Sequence, residues 1–73
     1  MSKEPYSFAH TGACLRALRL SRGWTQAELA AQACCSVSTI SSLERGMHDM
    51  SVVTFFALCQ ALNCSPAELL GGQ

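Results

Sequence analysis

Small hydroxyl side chains are concentrated in residues 36 to 46, SVSTISSLERG, where five of the first seven residues are Ser or Thr. A hydroxyl both donates and accepts hydrogen bonds, so a row of hydroxyls could bind phosphates or the edges of bases. Ser and Thr are mediocre helix formers, because their hydroxyls compete for nearby backbone groups. If this segment is helical, its composition needs an explanation other than local stability.

The spacing of the segment predicts an amphipathic helix with a small, polar outer face. At about 100° per residue, Ile40 and Leu43 share one side. The opposite side consists of Ser38, Ser41, Ser42 and Arg45, with Val37 at its border. Small side chains allow close approach to a surface, and the major groove of B-DNA, about 12 Å wide, admits a helix. Taken alone, the face could equally be a solvated surface that happens to be rich in serine.

Helix start signals locate the elements that would carry this face. Thr25-Gln26-Ala27-Glu28 and Ser65-Pro66-Ala67-Glu68 have the pattern of capping boxes. Ser36 and Ser51 stand before apolar periodic runs, as N-caps do, and Gly12, Gly23, Gly46 and Gly71 separate the elements. We therefore predict five helices at 12–22, 26–33, 37–45, 52–62 and 66–70.

No window alternates with a period of two, so we expect an all-α fold without strands. We expect residues 1–10 to form a flexible N-terminal arm and residues 11–73 to form one small domain. The second helix, a short turn and the third helix have the spacing of a DNA-reading helix-turn-helix.

The apolar faces predict a single core between the helices. Its expected members are Leu15, Leu18, Trp24, Leu29, Ala30, Ala33, Ile40, Leu43, Val52, Phe55, Leu58, Cys59, Leu62 and Leu69. Arg19 and Glu44 are the charged residues that fall on these faces. Because an unpaired buried charge is rarely tolerated, we infer that Arg19 and Glu44 form an ion pair. The alternative is that each side chain extends separately to water.

The charge distribution and the cysteine content limit which classes of function the chain could have. The net charge is zero, but residues 11–46 carry +2 and residues 47–73 carry −2, so any electropositive face should lie in the first half. The odd number of cysteines, five, argues against a disulfide framework. The absence of C-x-x-C and the lack of ligand spacing between His10 and His48 argue against zinc, and we expect no cofactor. The adjacent Cys34 and Cys35 leave open a thiol-responsive protein.

Other function classes lack support in the sequence. A nucleophile with a paired base and a phosphate loop are both missing, so we do not expect an enzyme. The start of the chain lacks the apolar run of a signal peptide, and no stretch is apolar enough to span a membrane, so we expect a cytoplasmic protein.

Two long segments resemble one known family. LRALRLSRGWTQAELAAQACCSVSTISSLERG and SVVTFFALCQALNCSPAELL are similar to the lambda-repressor-like, Cro-like (XRE) helix-turn-helix family across nearly residues 12 to 70. The resemblance implies a five-helix domain, with the helix-turn-helix formed by helices 2 and 3, that binds double-stranded operator DNA as a homodimer. In this family the residues at the positions of Arg19 and Glu44 typically pair, which agrees with the ion pair inferred above.

The resemblance assigns roles to individual residues. Ser36, Val37, Ser38, Ser41 and Ser42 match positions that read bases. Thr25, Gln26 and Arg45 match positions that contact DNA phosphates. Two departures stand out: Cys34 replaces the usual Gly of the turn, so we expect a locally adjusted turn, and Met50 replaces a Pro. The base-reading positions also lack the long donors that bind adenine or guanine bidentately.

A dimer would compensate for the small number of cations. Val53 and Phe56 lie off the core face of the fourth helix, and with Leu70 they form a candidate dimer interface. A local contact with Tyr6 or Phe8 of the arm is the alternative. We therefore expect a sequence-specific transcriptional regulator, a dimeric repressor of the phage, restriction-modification controller or antitoxin type that binds a palindromic operator. A protein-interaction module on the same fold, or a thiol-responsive regulator, remains the alternative.

Overall fold

The computed structural model describes residues 8–47 and 50–71, which form five α-helices and, within these ranges, no strand. The helices are α1 (Phe8–Ser21), α2 (Gln26–Ala33), α3 (Val37–Glu44), α4 (Val52–Leu62) and α5 (Pro66–Leu69). The all-α fold and the five helices are as predicted. None of the described helices is long and apolar enough to cross a bilayer.

The first helix differs most from the prediction, because α1 begins at Phe8 rather than at Gly12. Residues 8–10, which the sequence assigned to the arm, are therefore helical, and residues 1–7 lie outside the described ranges. Gly12 does not mark a helix start. It is buried within α1, where an added Cβ would lie 2.8 Å from the carbonyl oxygen of Glu44 and closer still to that of Leu43. The missing side chain lets α1 approach the end of α3.

Side-chain hydroxyls cap four of the helices as predicted. Thr25, Ser36, Ser51 and Ser65 each accept a hydrogen bond from the backbone amide three residues later, at 3.1, 3.1, 3.1 and 3.2 Å. In the capping boxes of α2 and α5, Glu28 and Glu68 also accept from the cap's own backbone amide. These caps satisfy amides that a helix start leaves without partners.

Left-handed residues end α2 and α4. Cys34 has φ 58° and ψ 45°, and Asn63 has φ 53° and ψ 48°. The expectation of a locally adjusted turn at Cys34 is therefore wrong, because Cys34 itself adopts the left-handed conformation. A left-handed Cys is strained, so the packing of α2 on α3 must compensate for it.

The core lies where the five helices meet. It consists of Leu15, Leu29, Ala30, Ala33, Ile40, Leu43, Leu58, Cys59, Leu62 and Leu69, with Leu18, Trp24, Cys35, Met50, Phe55, Ala61 and Cys64 packed against it. The prediction that Val52 belongs to the core is wrong, because Val52 is 70% exposed. Val52 is the first residue of α4 and lies about 70° from the centre of the buried face, so it faces solvent beyond the contact between α4 and α2.

Candidate nucleic-acid interface

A helix, a three-residue turn and a second helix form one rigid unit in the first half of the chain. α2 and α3 pack against each other through the buried faces that contain Ala30, Ala33 and Ile40. The backbone amide of Cys35 donates to the carbonyl oxygen of Ala30 at 2.9 Å, which ends α2 and turns the chain toward α3. Ser36 then caps α3. The position of α3 on the domain is thus fixed by packing on one side and by a hydrogen-bonded turn at its start.

The outer face of α3 is open. Val37 is 46% exposed, Ser38 and Arg45 are exposed, and Ser41 and Ser42 are half-buried. The opposite face is buried through Ile40 and Leu43. The hydroxyl-bearing side therefore faces away from the core, as the periodicity predicted, and Ser38 lies near its centre. Apart from Arg45, the side chains on this face are small, so a partner surface could approach the α3 backbone closely.

The predicted contact residues at the two ends of α3, Ser36 and Arg45, already have partners within the chain. The Ser36 hydroxyl accepts from the Thr39 amide at 3.1 Å and lies 2.9 Å from the Thr39 hydroxyl. The Arg45 Nε donates to the Ser41 carbonyl oxygen at 3.3 Å, which folds the side chain back along α3. Ser36 thus has less capacity for an outside partner than Ser38 has, whereas the terminal nitrogens of Arg45 stay available.

The predicted ion pair is present and buried. Arg19 donates from Nε to Glu44 Oε2 at 2.6 Å and from Nη2 to Glu44 Oε1 at 3.1 Å, with 8% and 3% of the two side chains exposed. Its Nη1 donates to the carbonyl oxygen of Trp24 at 2.7 Å. The hydrogen bonds to Glu44 raise the pKa of Arg19, with burial opposing them. The bidentate geometry ties α1, the turn after it and the end of α3 together.

Gln26 joins this network, which the sequence did not indicate. Its Nε2 donates to Glu44 Oε1 at 3.1 Å, so the first residue of α2 is held against the last residue of α3. An amide nitrogen carries two hydrogens, which leaves one for another acceptor. The exposed Thr25 uses its oxygen as the cap and retains its hydroxyl proton as a donor. The start of α2 therefore presents donors beside the positive end of a helix dipole, which favours an anion.

The adjacent cysteines lie in the turn between α2 and α3. Cys34 is exposed, and Cys35 is half-buried against the core. Burial, and secondarily the neighbouring Cys34, raises the pKa of the Cys35 thiol, which lowers its thiolate content at neutral pH. Cys35 therefore packs against the core in the way that a small apolar side chain would.

An exposed apolar face occupies one side of α4. Val53 is 80% exposed and Phe56 is 51% exposed. Val52, which is exposed rather than part of the core, extends the same surface. The Phe56 ring packs edge-on against Phe55 with a centroid separation of 5.4 Å and an interplanar angle of 81°, which holds it in place. Leu70, the C-cap of α5, is half-buried. We call Val52, Val53 and Phe56 the α4 patch. The alternative contacts with Tyr6 and Phe8 involve side chains outside the described part of the structure.

Comparison with known sequences places the chain among regulators. The profile of the helix-turn-helix family matches residues 15–69. An uncharacterized HTH-type transcriptional regulator, y4dJ of Sinorhizobium fredii, is 43% identical over 53 residues, which cover 73% of this chain and 69% of that protein. The chain spans about half to two thirds of the length of the other curated relatives that it matches, a competence pilus inhibition repressor of Acinetobacter baylyi and the antitoxin HipB of Escherichia coli.

Solved structures give the same result for the fold. The restriction-modification controller protein C.AhdI from Aeromonas hydrophila superposes with a TM-score of 0.82 at 34% identity, covering 85% of this chain and 94% of that one. The P22 c2 repressor protein, solved in complex with a synthetic operator, superposes with a TM-score of 0.80 at 35% identity, covering 86% of this chain and 96% of that one.

Proposed function

The chain belongs to the helix-turn-helix family, and from this premise we propose that it is a dimeric transcriptional repressor that inserts α3 into the major groove of a palindromic operator. The relatives support this proposal, because they include an HTH-type transcriptional regulator and a repressor protein in complex with a synthetic operator. A protein that binds operator DNA must be in the compartment that contains the DNA, so the proposed function also implies a cytoplasmic protein.

The observation that carries the proposal is the open, small-residue face of α3. Val37 and Ser38 are exposed on it, as is Arg45, whereas Ser41 and Ser42 are half-buried. Serine hydroxyls can donate to or accept from base edges, and an apolar Val37 can pack on a thymine methyl group. Ser36, occupied as the N-cap, contributes mainly by setting where α3 begins. Because none of the proposed base-reading side chains is a long bidentate donor, we expect readout by close fit and methyl contacts.

Phosphate contacts would fix the register of α3 in the groove. Thr25 and Gln26 stand at the start of α2 with unused donors, and Arg45 stands at the end of α3 with its terminal nitrogens exposed. These three residues lie at the ends of the two helices of the unit, so they could bind the DNA backbone on both sides of α3. The Arg19 charge is cancelled by Glu44 and adds little to this attraction.

We propose a dimer because each subunit has few basic side chains available to neutralise DNA phosphates. Affinity from counterion release grows with the number of neutralised phosphates, so a single subunit should bind weakly. Two subunits on a palindrome would place two α3 helices in successive major grooves and gain avidity. The α4 patch, together with Leu70 on the adjoining α5, is the surface we propose for self-association. Phe56 is its aromatic anchor, held against Phe55.

The test measures binding to the DNA immediately upstream of the gene, by fluorescence anisotropy at several salt concentrations. Ser38→Glu should abolish specific binding, because it places an anion at the centre of the reading face while the fold stays intact. Ala17→Glu is the matched control, since it adds the same charge at an exposed position of α1. Equal loss in both variants, or full binding by Ser38→Glu, would remove α3 as the reader.

The α4 patch and the neutral net charge also favour a second candidate, a protein-interaction module on the same fold. The salt dependence separates the two functions. A repressor should show a log–log slope close to −0.9 per phosphate contacted, and Arg45→Ala should reduce that slope by about 2 per dimer. A shallow slope with unchanged affinity in Arg45→Ala would favour the interaction module.

A further inference from the structure

We propose that Cys59 and Cys64 form a dithiol–disulfide couple, an internal oxidation site that reacts with low-molecular-weight disulfides. This inference is independent of DNA binding, because it concerns the junction between α4 and α5. It also differs from the sequence-based hypothesis of a thiol sensor, which rested on Cys34 and Cys35.

The backbone at the end of α4 brings the two residues together. The Cys64 amide donates to the Cys59 carbonyl oxygen at 3.0 Å, and the Asn63 amide donates to the Gln60 carbonyl oxygen at 3.2 Å. With Asn63 left-handed, these two bonds form a Schellman motif. In this motif the side chains that precede and follow the turn, here Cys59 and Cys64, meet on the same side.

Both side chains lie in the same apolar cluster, since Cys59 belongs to the core and Cys64 packs against it at the end of α4. Their exposure to solvent differs. Cys59 is 5% exposed within the core, whereas Cys64 is half-buried at the turn. This asymmetry gives each thiol a different part in the reaction: Cys64 can be reached from solvent, and Cys59 can be reached only from Cys64.

The adjacent Cys34 and Cys35 lack this geometry. Consecutive α-carbons across a trans peptide are about 3.8 Å apart, whereas disulfide-linked α-carbons usually lie about 4.4–6.8 Å apart. The described residues contain no cis peptide bond. A bond between these neighbours would distort the turn that positions α3. The sequence drew attention to the adjacent pair, and the structure places the better-oriented pair at the end of α4.

The reaction balances with a small-molecule disulfide as the oxidant. The Cys64 thiolate attacks one sulfur of the disulfide, forms a mixed disulfide and releases one small thiolate. The Cys59 sulfur then attacks the Cys64 sulfur, and its proton passes to the departing small thiolate, which leaves as the second small thiol. Two protein thiols are oxidised to one disulfide, and one small disulfide is reduced to two thiols.

Burial sets the pH dependence of this reaction. Burial, with Cys64 nearby, raises the pKa of Cys59 to about 11. Burial also raises the pKa of Cys64. Cys59 and the cation of Arg22 act in the opposite direction, whereas the carboxylate of Glu68 adds to the rise. Below its pKa, a thiol gains about tenfold in thiolate fraction for each pH unit. The rate of disulfide formation should therefore rise about tenfold from pH 7.5 to pH 8.5.

The experiment incubates the folded, reduced chain with oxidised glutathione, alkylates the remaining thiols and maps all five cysteines by mass spectrometry. We expect a product that has lost two hydrogen masses, with alkylation missing only at Cys59 and Cys64. Cys59→Ala should instead retain glutathione on Cys64 as a stable mixed disulfide. The variant Cys34→Ala/Cys35→Ala is the matched control, and it should form the internal disulfide at the wild-type rate.

Several results would overturn the proposal. They are glutathione found only on Cys34 or Cys35, an internal disulfide that disappears in the Cys34→Ala/Cys35→Ala control, and a rate that does not change with pH. Mapping of the wild-type chain decides the matter even if Cys59→Ala does not fold, because the site of the disulfide is read directly from its peptides. DNA affinity is not part of this readout, so the result stands apart from the proposed repressor function.

Discussion

Removal of Arg19 tests the idea that a buried ion pair ties α1 to the end of α3. Arg19→Ala deletes two hydrogen bonds to Glu44, at 2.6 and 3.1 Å, and one to the Trp24 carbonyl oxygen at 2.7 Å. Glu44 then stays buried, with the bond from Gln26 as the contact that remains to its carboxylate. The Trp24 carbonyl oxygen loses its charged donor at the same time.

The expected cost is a large fraction of the total stability. Breaking a buried ion pair by removing one partner costs about 3–5 kcal/mol, and the remaining Gln26 bond places this case near the lower figure. A chain of this length should have an unfolding free energy of about 4–11 kcal/mol. A loss of about 3 kcal/mol should lower the Tm by about 12–24 °C, because each kcal/mol shifts the Tm of a small domain by about 4–8 °C.

The assay is urea and thermal unfolding followed by circular dichroism, with Arg16→Ala as the matched control. Arg16 lies on the same helix and carries the same charge, but it is exposed, so its removal should change stability by less than about 0.5 kcal/mol. A double variant, Arg19→Met/Glu44→Leu, should be more stable than Arg19→Ala, since it leaves no buried charge unpaired. If Arg19→Ala melts within about 2 °C of wild type, the pair does not hold the helices together.

Three further substitutions test the packing, the turn and the buried thiol. Gly12→Ala should lower the unfolding free energy by about 1–3 kcal/mol in urea unfolding, because its Cβ would meet the carbonyl oxygens of Leu43 and Glu44; a loss below about 0.5 kcal/mol would contradict this contact. Cys34→Gly should raise the unfolding free energy by about 0.5–1 kcal/mol by relieving the left-handed conformation at φ 58°, and a decrease would show that Cys34 is not strained. The Cys59 thiol has an ordinary pKa of 9.0 and a folded-state pKa of about 11, so the unfolded chain loses this proton first and stability should fall as pH rises from 9 to 11. Cys59→Ala should show a shallower decline over that range, and an identical decline would assign the effect to other groups.

Helix number, caps and the ion pair could be predicted from the sequence because each has a local signal. Thr25 and Ser65 stand three residues before a Glu, and Arg19 and Glu44 were the charged residues on apolar faces. These features depend on periodicity and on the cost of burying a charge, which a single chain displays directly. The family model and the structures confirm the helix-turn-helix fold that follows from them.

Features that depend on the approach of distant elements could not be predicted. Gly12 resembles a helix boundary in the sequence, and only the position of α3 shows that it is a close-packing site inside α1. Val52 fits the apolar period of α4, but the end of the helix extends past its neighbours and exposes it. The turn that brings Cys64 back toward Cys59 depends on a left-handed Asn63, which the apolar period of α4 does not show.

Contacts with DNA depend on a partner and stay predictions for both the bases and the phosphates. The open face of α3 is necessary for base reading, but solvent exposure alone does not select a groove. The sequence also gives no signal for the bond from Gln26 to Glu44, which arises because the start of α2 meets the end of α3.

Methylation interference on the DNA immediately upstream of the gene tests the central claim most directly. Methyl groups on guanine N7 lie in the major groove, whereas those on adenine N3 lie in the minor groove. If α3 reads the major groove as a dimer, guanine N7 methylation should block binding in two half-sites about one helical turn apart, related by two-fold symmetry. Interference confined to adenine N3, or a single unpaired half-site, would contradict this account of α3.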